Sequence, residues 1–151
     1  MYTYRYPRPM VTVDIVLFQR APEEHRVLLI QRAGQPFRGR FALPGGFLDI
    51  KETLKEAAER ELAEETGLKD IQLEQIHTFS AVDRDPRGRV ISTAYGAVLN
   101  PAREYAAVSG SDAGAVGWFS LTELPELAFD HGIIIRTAQD QLLNPPPDLR
   151  D

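Results

Sequence analysis

The chain has 151 residues, 43% of them hydrophobic and 26% charged, which is the length and composition of one compact globular domain with no room for a second catalytic unit. A formal net charge of -5 and a pI near 5.2 lack the broad basic footprint that binding a nucleic-acid polymer requires, so no such partner is expected. The absence of cysteine excludes disulfides, thiolate metal sites and a cysteine nucleophile, and leaves oxygen and histidine ligands for any metal.

The opening segment, residues 1–10, is rich in tyrosine, arginine and proline and lacks the apolar core of a signal peptide. No later stretch approaches the roughly 18 consecutive apolar residues of a membrane span, so the expected location is the cytoplasm. Tyr2, Tyr4 and Tyr6 alternate as an edge strand would, and such a strand would pair with a second copy in a homodimer; a disordered tail fits the same residues. Residues 11–18 and 26–31, rich in Val, Leu and Ile and separated by an Ala-Pro-Glu-Glu turn, predict two strands in a hairpin-like pair. Phe41, Ala42 and Leu43 predict a brief strand that stops at a Pro44-Gly45-Gly46 turn.

The period then changes. Over residues 49–66, Leu54, Ala58 and Leu62 recur at spacing four and Gly67 follows as a C-cap, which predicts a helix. Beyond it, residues 71–82 and 90–99 predict longer strands joined by a loop with Pro86 and Gly88, and residues 115–119 predict another, with Trp118 and Phe119 as core residues. Residues 131–143 place Ile134, Ala138 and Leu142 on one stripe behind Asp130 as N-cap, so a second amphipathic helix is predicted. The prolines at 145–147 cannot continue it, and residues 144–151 are expected to form an extended tail. Strands before, between and after two helices predict an α/β fold, a mixed sheet with helices on its faces, in one domain over residues 1–151.

The first helix carries the chemistry. At about 100° per residue, Glu61, Glu64 and Glu65 fall in an arc that overlaps that of Leu54, Ala57 and Ala58, so three acids continue an apolar stripe. Glu52, Glu56 and Glu59 fall on the opposite, solvated side, where Glu56 is spaced to pair with Arg60. Carboxylates gathered on a core-directed face repel one another and lose hydration, a combination tolerated when cations neutralise it; oxygen ligands point to Mg²⁺, with Mn²⁺ as a substitute. The Gly45-Gly46 pair upstream lets the backbone approach the cluster through torsions that other residues avoid, offering carbonyl ligands.

These positions form a pattern. Gly46, five intervening residues, Glu52, seven more, and then Arg60-Glu61-Leu62-Ala63-Glu64-Glu65-Thr66-Gly67-Leu68 resemble the complete Nudix box. The resemblance implies an α/β/α sandwich whose box forms a loop, helix and loop around metals. It further implies Glu61 and Glu65 as chief metal ligands, Glu64 as a further ligand or the base that activates water, and the Gly45 carbonyl as another ligand. Arg60 and Glu52 would orient the cluster, and the reaction would be hydrolysis of a nucleoside diphosphate linkage without a covalent intermediate.

Asp83-Arg84-Asp85-Pro86-Arg87-Gly88-Arg89-Val90 and Leu127-Ala128-Phe129-Asp130-His131 are similar to segments of microbial ADP-ribose pyrophosphatases, although the proline those enzymes often carry earlier after the box stands here later, as Pro86. This likeness implies hydrolysis of ADP-ribose to AMP and ribose 5-phosphate; nucleoside triphosphates, other nucleoside diphosphate sugars and non-catalytic nucleotide sensing are the rival readings. Arg84, Arg87 and Arg89 crowd one loop and Arg32 and Arg38 flank another, so Arg32, Arg38, Arg84 and Arg87 are candidates to hold phosphate, with His131 as a further substrate contact. The segment around Asp112 resembles the loop that brings an additional acid to the metals in the same group, with Glu104 as its competitor. Phe37, Phe47 and Phe79 are candidates to stack on adenine or to fill the core.

Overall fold

The computed structural model describes residues 1–100, 105, 107 and 114–145. These form β1 (Met10–Gln19), β2 (Arg26–Gln31), β3 (Phe41–Ala42), β4 (Gly45–Phe47), α1 (Leu54–Thr66), β5 (Glu74–Phe79), β6 (Val90–Val98), β7 (Val116–Ser120) and α2 (His131–Ala138), the last running into a π-helical segment, Gln139–Leu143. The strands make one mixed seven-stranded sheet in the order β3-β2-β1-β6-β5, with β4 also paired to β1 and β7 to β2.

The seam of the sheet is β1, an almost fully buried strand whose side chains alternate between two cores. Val13, Ile15 and Leu17 pack with Ala57, Ala58 and Leu62 of α1, while Val16 and Phe18 pack with Ile134, Ile135 and Ala138 of α2. The two helices therefore cover opposite faces, giving the three-layer sandwich that the sequence predicts. The predicted core pair divides the same way: Trp118 packs toward the α1 side and Phe119, edge-on to Phe41 at 4.8 Å, toward the α2 side.

Where the sheet splits decides where the site lies. β1 and β2 pair antiparallel only at Phe18↔Val27 and Gln19↔Arg26. Beyond that point they diverge, and β3 follows β2 (Ile30↔Ala42) while β4 follows β1 (Asp14↔Gly45). The short connection between β3 and β4 is a wedge, and its backbone groups cannot all find ladder partners. Ile15 N–H donates to the Pro44 carbonyl at 2.8 Å, and Leu43 N–H is taken by a histidine from α2.

Several predicted boundaries change. Gly45 and Gly46 belong to a strand and are not a turn. The helix begins after Thr53, whose hydroxyl accepts from Glu56 N–H while the Glu56 carboxylate accepts from Thr53 N–H, a capping box that leaves residues 49–52 in the preceding loop. Gly67 closes α1 in the left-handed region, at φ 76°, as predicted. The strand predicted over 71–82 is confined to Glu74–Phe79, an edge strand with a register shift at Gln75/His77. The second helix widens into a π-turn after Ala138, so that Leu143 becomes a buried member, with Leu142 partly buried beside it. The edge strand expected at Tyr2, Tyr4 and Tyr6 is not formed: β1 starts at Met10, and Tyr2 instead stacks on Tyr4 at 6.3 Å. Of the predicted tail, residues 146–151 lie outside the described residues. Among the described residues, no helix is long and apolar enough to cross a membrane.

Candidate active site

The wedge brings β4 against the acidic end of α1. A Cβ at Gly46 would fall 2.5 Å from Glu61 Oε1, and one at Gly45 would overlap the Val13 carbonyl, so both positions need the absence of a side chain. Neither glycine has a positive φ, which corrects the argument from unusual torsions: what they supply is clearance. Gly45 N–H points to Glu65 Oε2 at 3.4 Å.

Arg60 organises the rest of the box. Its Nε and Nη2 donate to the two oxygens of Glu52 at 3.0 and 2.6 Å, Nη1 donates to Glu61 at 2.9 Å and Glu64 at 3.3 Å, and Nη2 also donates to the Phe47 carbonyl at 3.1 Å. The hydrogen bond from Arg60, and after it the Asp49 N–H, hold the Glu52 carboxyl down at about 2. Placing Glu52 on the solvated side of the helix is thereby corrected, because it precedes the helix and folds back onto Arg60. The expected Glu56–Arg60 pair gives way to the capping box, which occupies Glu56.

Glu61 and Glu65 sit together behind Gly45 and Gly46. Burial first, and then the neighbouring charge of Glu61, push the Glu65 carboxyl up to about 9, so a proton or another cation must stand between these oxygens near neutral pH. Glu64 departs from the predicted three-acid face: its side chain is 60% exposed and, among the described residues, pairs with Arg60. Among the described residues no three acidic or histidine side chains converge closely enough to hold one ion by themselves. The pair nevertheless fits a hard divalent cation, since Glu61 and Glu65 offer only oxygen, Glu65 is pushed toward protonation by burial and by Glu61, and both lie beside backbone that two glycines bring into contact.

On the other side of the wedge lies a buried polar cluster that joins the candidates His131 and Arg84 to Asp14, which sequence reasoning missed. Asp14 of β1 accepts a short hydrogen bond from Ser92 Oγ and lies 3.3 Å from His131 Nε2 and 3.9 Å from Arg84 Nη2. Burial would raise the Asp14 carboxyl, but His131, Ser92 and Arg84 together outweigh it and hold it below the ordinary carboxylate value. His131 Nδ1 accepts the Leu43 N–H at 3.0 Å, which puts the imidazole proton on Nε2, facing Asp14. An aspartate in the middle of the apolar run Val-Thr-Val-Asp-Ile-Val was the available signal, because a buried charge requires partners.

The candidate arginines divide. Arg84 is buried at the cavity wall, and its guanidinium grips Asp130 through two bonds of 2.9 and 2.6 Å, which ties the β5–β6 loop to the start of α2. Asp130 is correspondingly no side-chain cap. Arg38 is exposed and outside the cavity lining. Arg32, Arg84 and Arg87 line a cavity of about 430 Å³, together with Asp14, Glu61, Glu65 and His131. Arg87 is anchored on Asp85 at 2.7 Å, and burial, followed by the like charge of Arg87, lowers the pKa of Arg32. Of the aromatic candidates, Phe47 lines the cavity, Phe37 packs edge-on against Phe129 at 4.9 Å, and Phe79 packs in the α2-side core. Asp112 and Glu104 lie outside the described residues.

This arrangement of box, wedge and cavity coincides with a match of residues 8–138 to the NUDIX domain. The chain belongs to the Nudix family. It is similar to the ADP-ribose pyrophosphatase of Methanocaldococcus jannaschii, 41% identical over 136 residues that cover 87% of this chain and 73% of that protein. It is also similar to the ADPR responsive transcriptional repressor NtrR of Acinetobacter baylyi, at 34% identity over 92% of this chain but only 56% of the repressor, and so spans little more than half of that relative.

Among solved structures, this Nudix chain resembles the NUDIX domain of Shewanella oneidensis NrtR in complex with ADP ribose, with a TM-score of 0.82, 33% identity and 90% of each chain covered. It also resembles a bifunctional NMN adenylyltransferase/ADP ribose pyrophosphatase of Francisella tularensis complexed with AMP and a manganese ion, with a TM-score of 0.78 and 28% identity over 91% of this chain and 43% of that one.

Proposed function

We propose that this Nudix chain is an ADP-ribose pyrophosphatase that hydrolyses its substrate to AMP and ribose 5-phosphate with Mg²⁺, or Mn²⁺ in its place. The observation that carries the reading is the Glu61–Glu65 pair, set against Gly46 and Gly45 and lining a cavity whose other charged walls include Arg32 and Arg87. The likeness to an archaeal enzyme of that name and to an ADP-ribose complex supports the substrate.

In this reading Glu61 and Glu65 hold the cation, the Gly45 carbonyl adds a ligand, and Glu64, more exposed, is the further ligand or the base that takes a proton from water. Arg60, locked by Glu52, fixes the orientation of Glu61. Arg32 and Arg87 hold the diphosphate, and Asp112 is the additional acid. A divalent ion bound there supplies positive charge to the diphosphate oxygens and acidifies the attacking water. His131, at the cavity wall, holds Leu43 and Asp14 in place.

A second reading is favoured by the similarity to ADP-ribose-responsive repressors: the chain binds ADP-ribose as a signal and does not turn it over. Incubation with ADP-ribose and Mg²⁺, with products separated by chromatography, decides between them. AMP and ribose 5-phosphate in equal amounts are the expected result. Tight binding with intact ADP-ribose would establish the sensor, and pyrophosphate released from a nucleoside triphosphate would move the enzyme to another substrate class.

A further inference from the structure

The loop between β5 and β6 sets Arg84, Asp85 and Arg87 in the cavity wall. Its base is docked on α2 by the Arg84–Asp130 pair, so the turn beyond has an anchor of its own. Pro86 and Gly88 suit a tight turn, which closes with Gly88 N–H donating to the Asp85 carbonyl at 3.4 Å. Asp85 Oδ1 also accepts the Arg87 N–H at 2.9 Å, a side-chain turn that asparagine makes as well as aspartate.

Asp85 does more than the turn requires. One oxygen suffices for the turn, yet the buried Asp85 commits both: Arg87 Nε lies 3.1 and 3.2 Å from Oδ1 and Oδ2, and Nη2 reaches Oδ2 at 2.7 Å. Burial would raise the Asp85 carboxyl, but the hydrogen bonds from Arg87 and the charges of Arg87 and Arg84 outweigh it and hold it below the ordinary carboxylate value. The Arg87 guanidinium carbon also stands 4.9 Å from the centre of the Phe47 ring and 5.2 Å from that of Phe129, so two rings and a carboxylate confine it. The side edge of the fork, Nε and Nη2, is filled. The end edge, Nη1 with the second Nη2 hydrogen, meets no hydrogen-bond acceptor among the described residues. Burial and then Arg87 lower the pKa of Arg32, and the charge of Asp85 opposes that fall, which lets two guanidinium groups share one wall.

A free arginine loses rotamer freedom when it captures a phosphate, and one already fixed in place loses less. We infer that Asp85 is a positioning residue: its buried carboxylate holds one edge of the Arg87 fork so that the opposite edge is set for the oxygens of a diphosphate. This inference rests on the role of Arg87 in the proposed ADP-ribose reading and deepens it. Asp85 is itself an anion and repels an incoming phosphate. The guanidinium stands between the two, however, and its charge faces both, so the order that Asp85 imposes on the fork outweighs that repulsion.

The test is a double-mutant cycle on Asp85→Asn and Arg87→Ala, read by calorimetry as affinity, with Mg²⁺, for ADP-ribose that carries a methylene in place of its bridging oxygen. Asparagine keeps an acceptor for the Arg87 N–H but sets an amide N–H₂ against Nη2, so the turn stays and the clasp opens. Asp85→Asn is expected to weaken binding about tenfold in the wild-type background and to change it less than about twofold in Arg87→Ala. KM for ADP-ribose should rise by a similar factor, with kcat changed less than about twofold. Unchanged or tighter binding in Asp85→Asn overturns the inference, as does an equal loss in both backgrounds or a wild-type chain without affinity for the analogue. If Asp85→Asn fails to fold, the wild-type Arg87 Nε–H resonance, assigned by its loss in Arg87→Ala, decides. Slow exchange with solvent is expected there, and exchange as fast as that of the exposed Arg38 overturns the clasp. ADP-ribose turnover is measured on the same wild-type preparation: binding of the analogue without turnover removes the proposed reaction, whereas the cycle alone judges Asp85.

Discussion

His131 Nδ1 accepts the Leu43 N–H at 3.0 Å, joining the first turn of α2 to the wedge of the sheet across 88 positions of sequence. The same ring faces Asp14 through Nε2 at 3.3 Å. One imidazole thus satisfies a backbone donor that the split sheet cannot pair and, with Ser92 and Arg84, a buried carboxylate, and the strand it holds leads into Gly45 and Gly46.

His131→Ala is therefore expected to lower stability by about 2–3 kcal/mol, because it leaves both a buried N–H and a buried carboxylate short of partners. Asn in its place presents an oxygen near the Nδ1 position and should recover part of the loss. Chemical denaturation of the three proteins checks this; equal midpoints would show that the wedge does not depend on the histidine.

Glu65→Gln keeps the shape of the side chain and removes its charge. Turnover of ADP-ribose should fall at least about a hundredfold with the fold intact, since the cation loses one of its two chief carboxylates. Steady-state rates together with circular dichroism measure this, and undiminished kcat would exclude Glu65 as a principal ligand.

The pH dependence of the cation-free protein follows from the same residue. The Glu65 carboxyl lies at about 9 in the fold against an ordinary value of 4.5, so the folded state holds a proton that the unfolded chain gives up more readily. Its contribution to stability is complete below 4.5 and is lost as the pH rises through about 9. Thermal unfolding without divalent ions should show Tm declining across that interval, and Mg²⁺, which takes the place of the proton, should raise Tm more at pH 8.5 than at pH 5. Glu65→Gln should flatten both dependences. A wild-type Tm that rises with pH toward 9 in the absence of metal would contradict the buried acid pair.

Asp112→Asn should lower kcat with little change in KM if Asp112 supplies the additional acid in the reacting complex. Single-turnover measurements on this variant and on Glu104→Gln separate the two candidates, and an unchanged rate in the aspartate variant assigns the role to Glu104 or Glu64.

Much of the fold could be read locally. The helix over α1 and its glycine cap follow from a periodicity of 3.6 that the segment carries in itself, β1 follows from a continuous run rich in Val, Leu and Ile, and the box residues were identifiable because their spacing is fixed by a single loop and helix. Even there, Glu64 turned outward and Glu52 inward, because the helix begins at Leu54 and leaves Glu52 in the preceding loop, and Arg60 gathers the acids by hydrogen bonding, not by helical angle.

What sequence determined by itself is the chemistry available: oxygen ligands without thiolates, an acid cluster on a core-facing helix, glycines at a set distance before it, and arginines in the loops. What only the tertiary structure decided is which of those groups face one another. Arg84 proved to be bound to Asp130, Arg87 to stand between Phe47 and Phe129, and Asp14 to require His131 and Ser92, all through contacts between segments far apart in the chain. Such pairings arise because the divergence of β1 from β2 opens a wedge, and a buried charge or an unpaired backbone donor must then be met by whichever side chain the opposite layer delivers, a condition that no local pattern encodes.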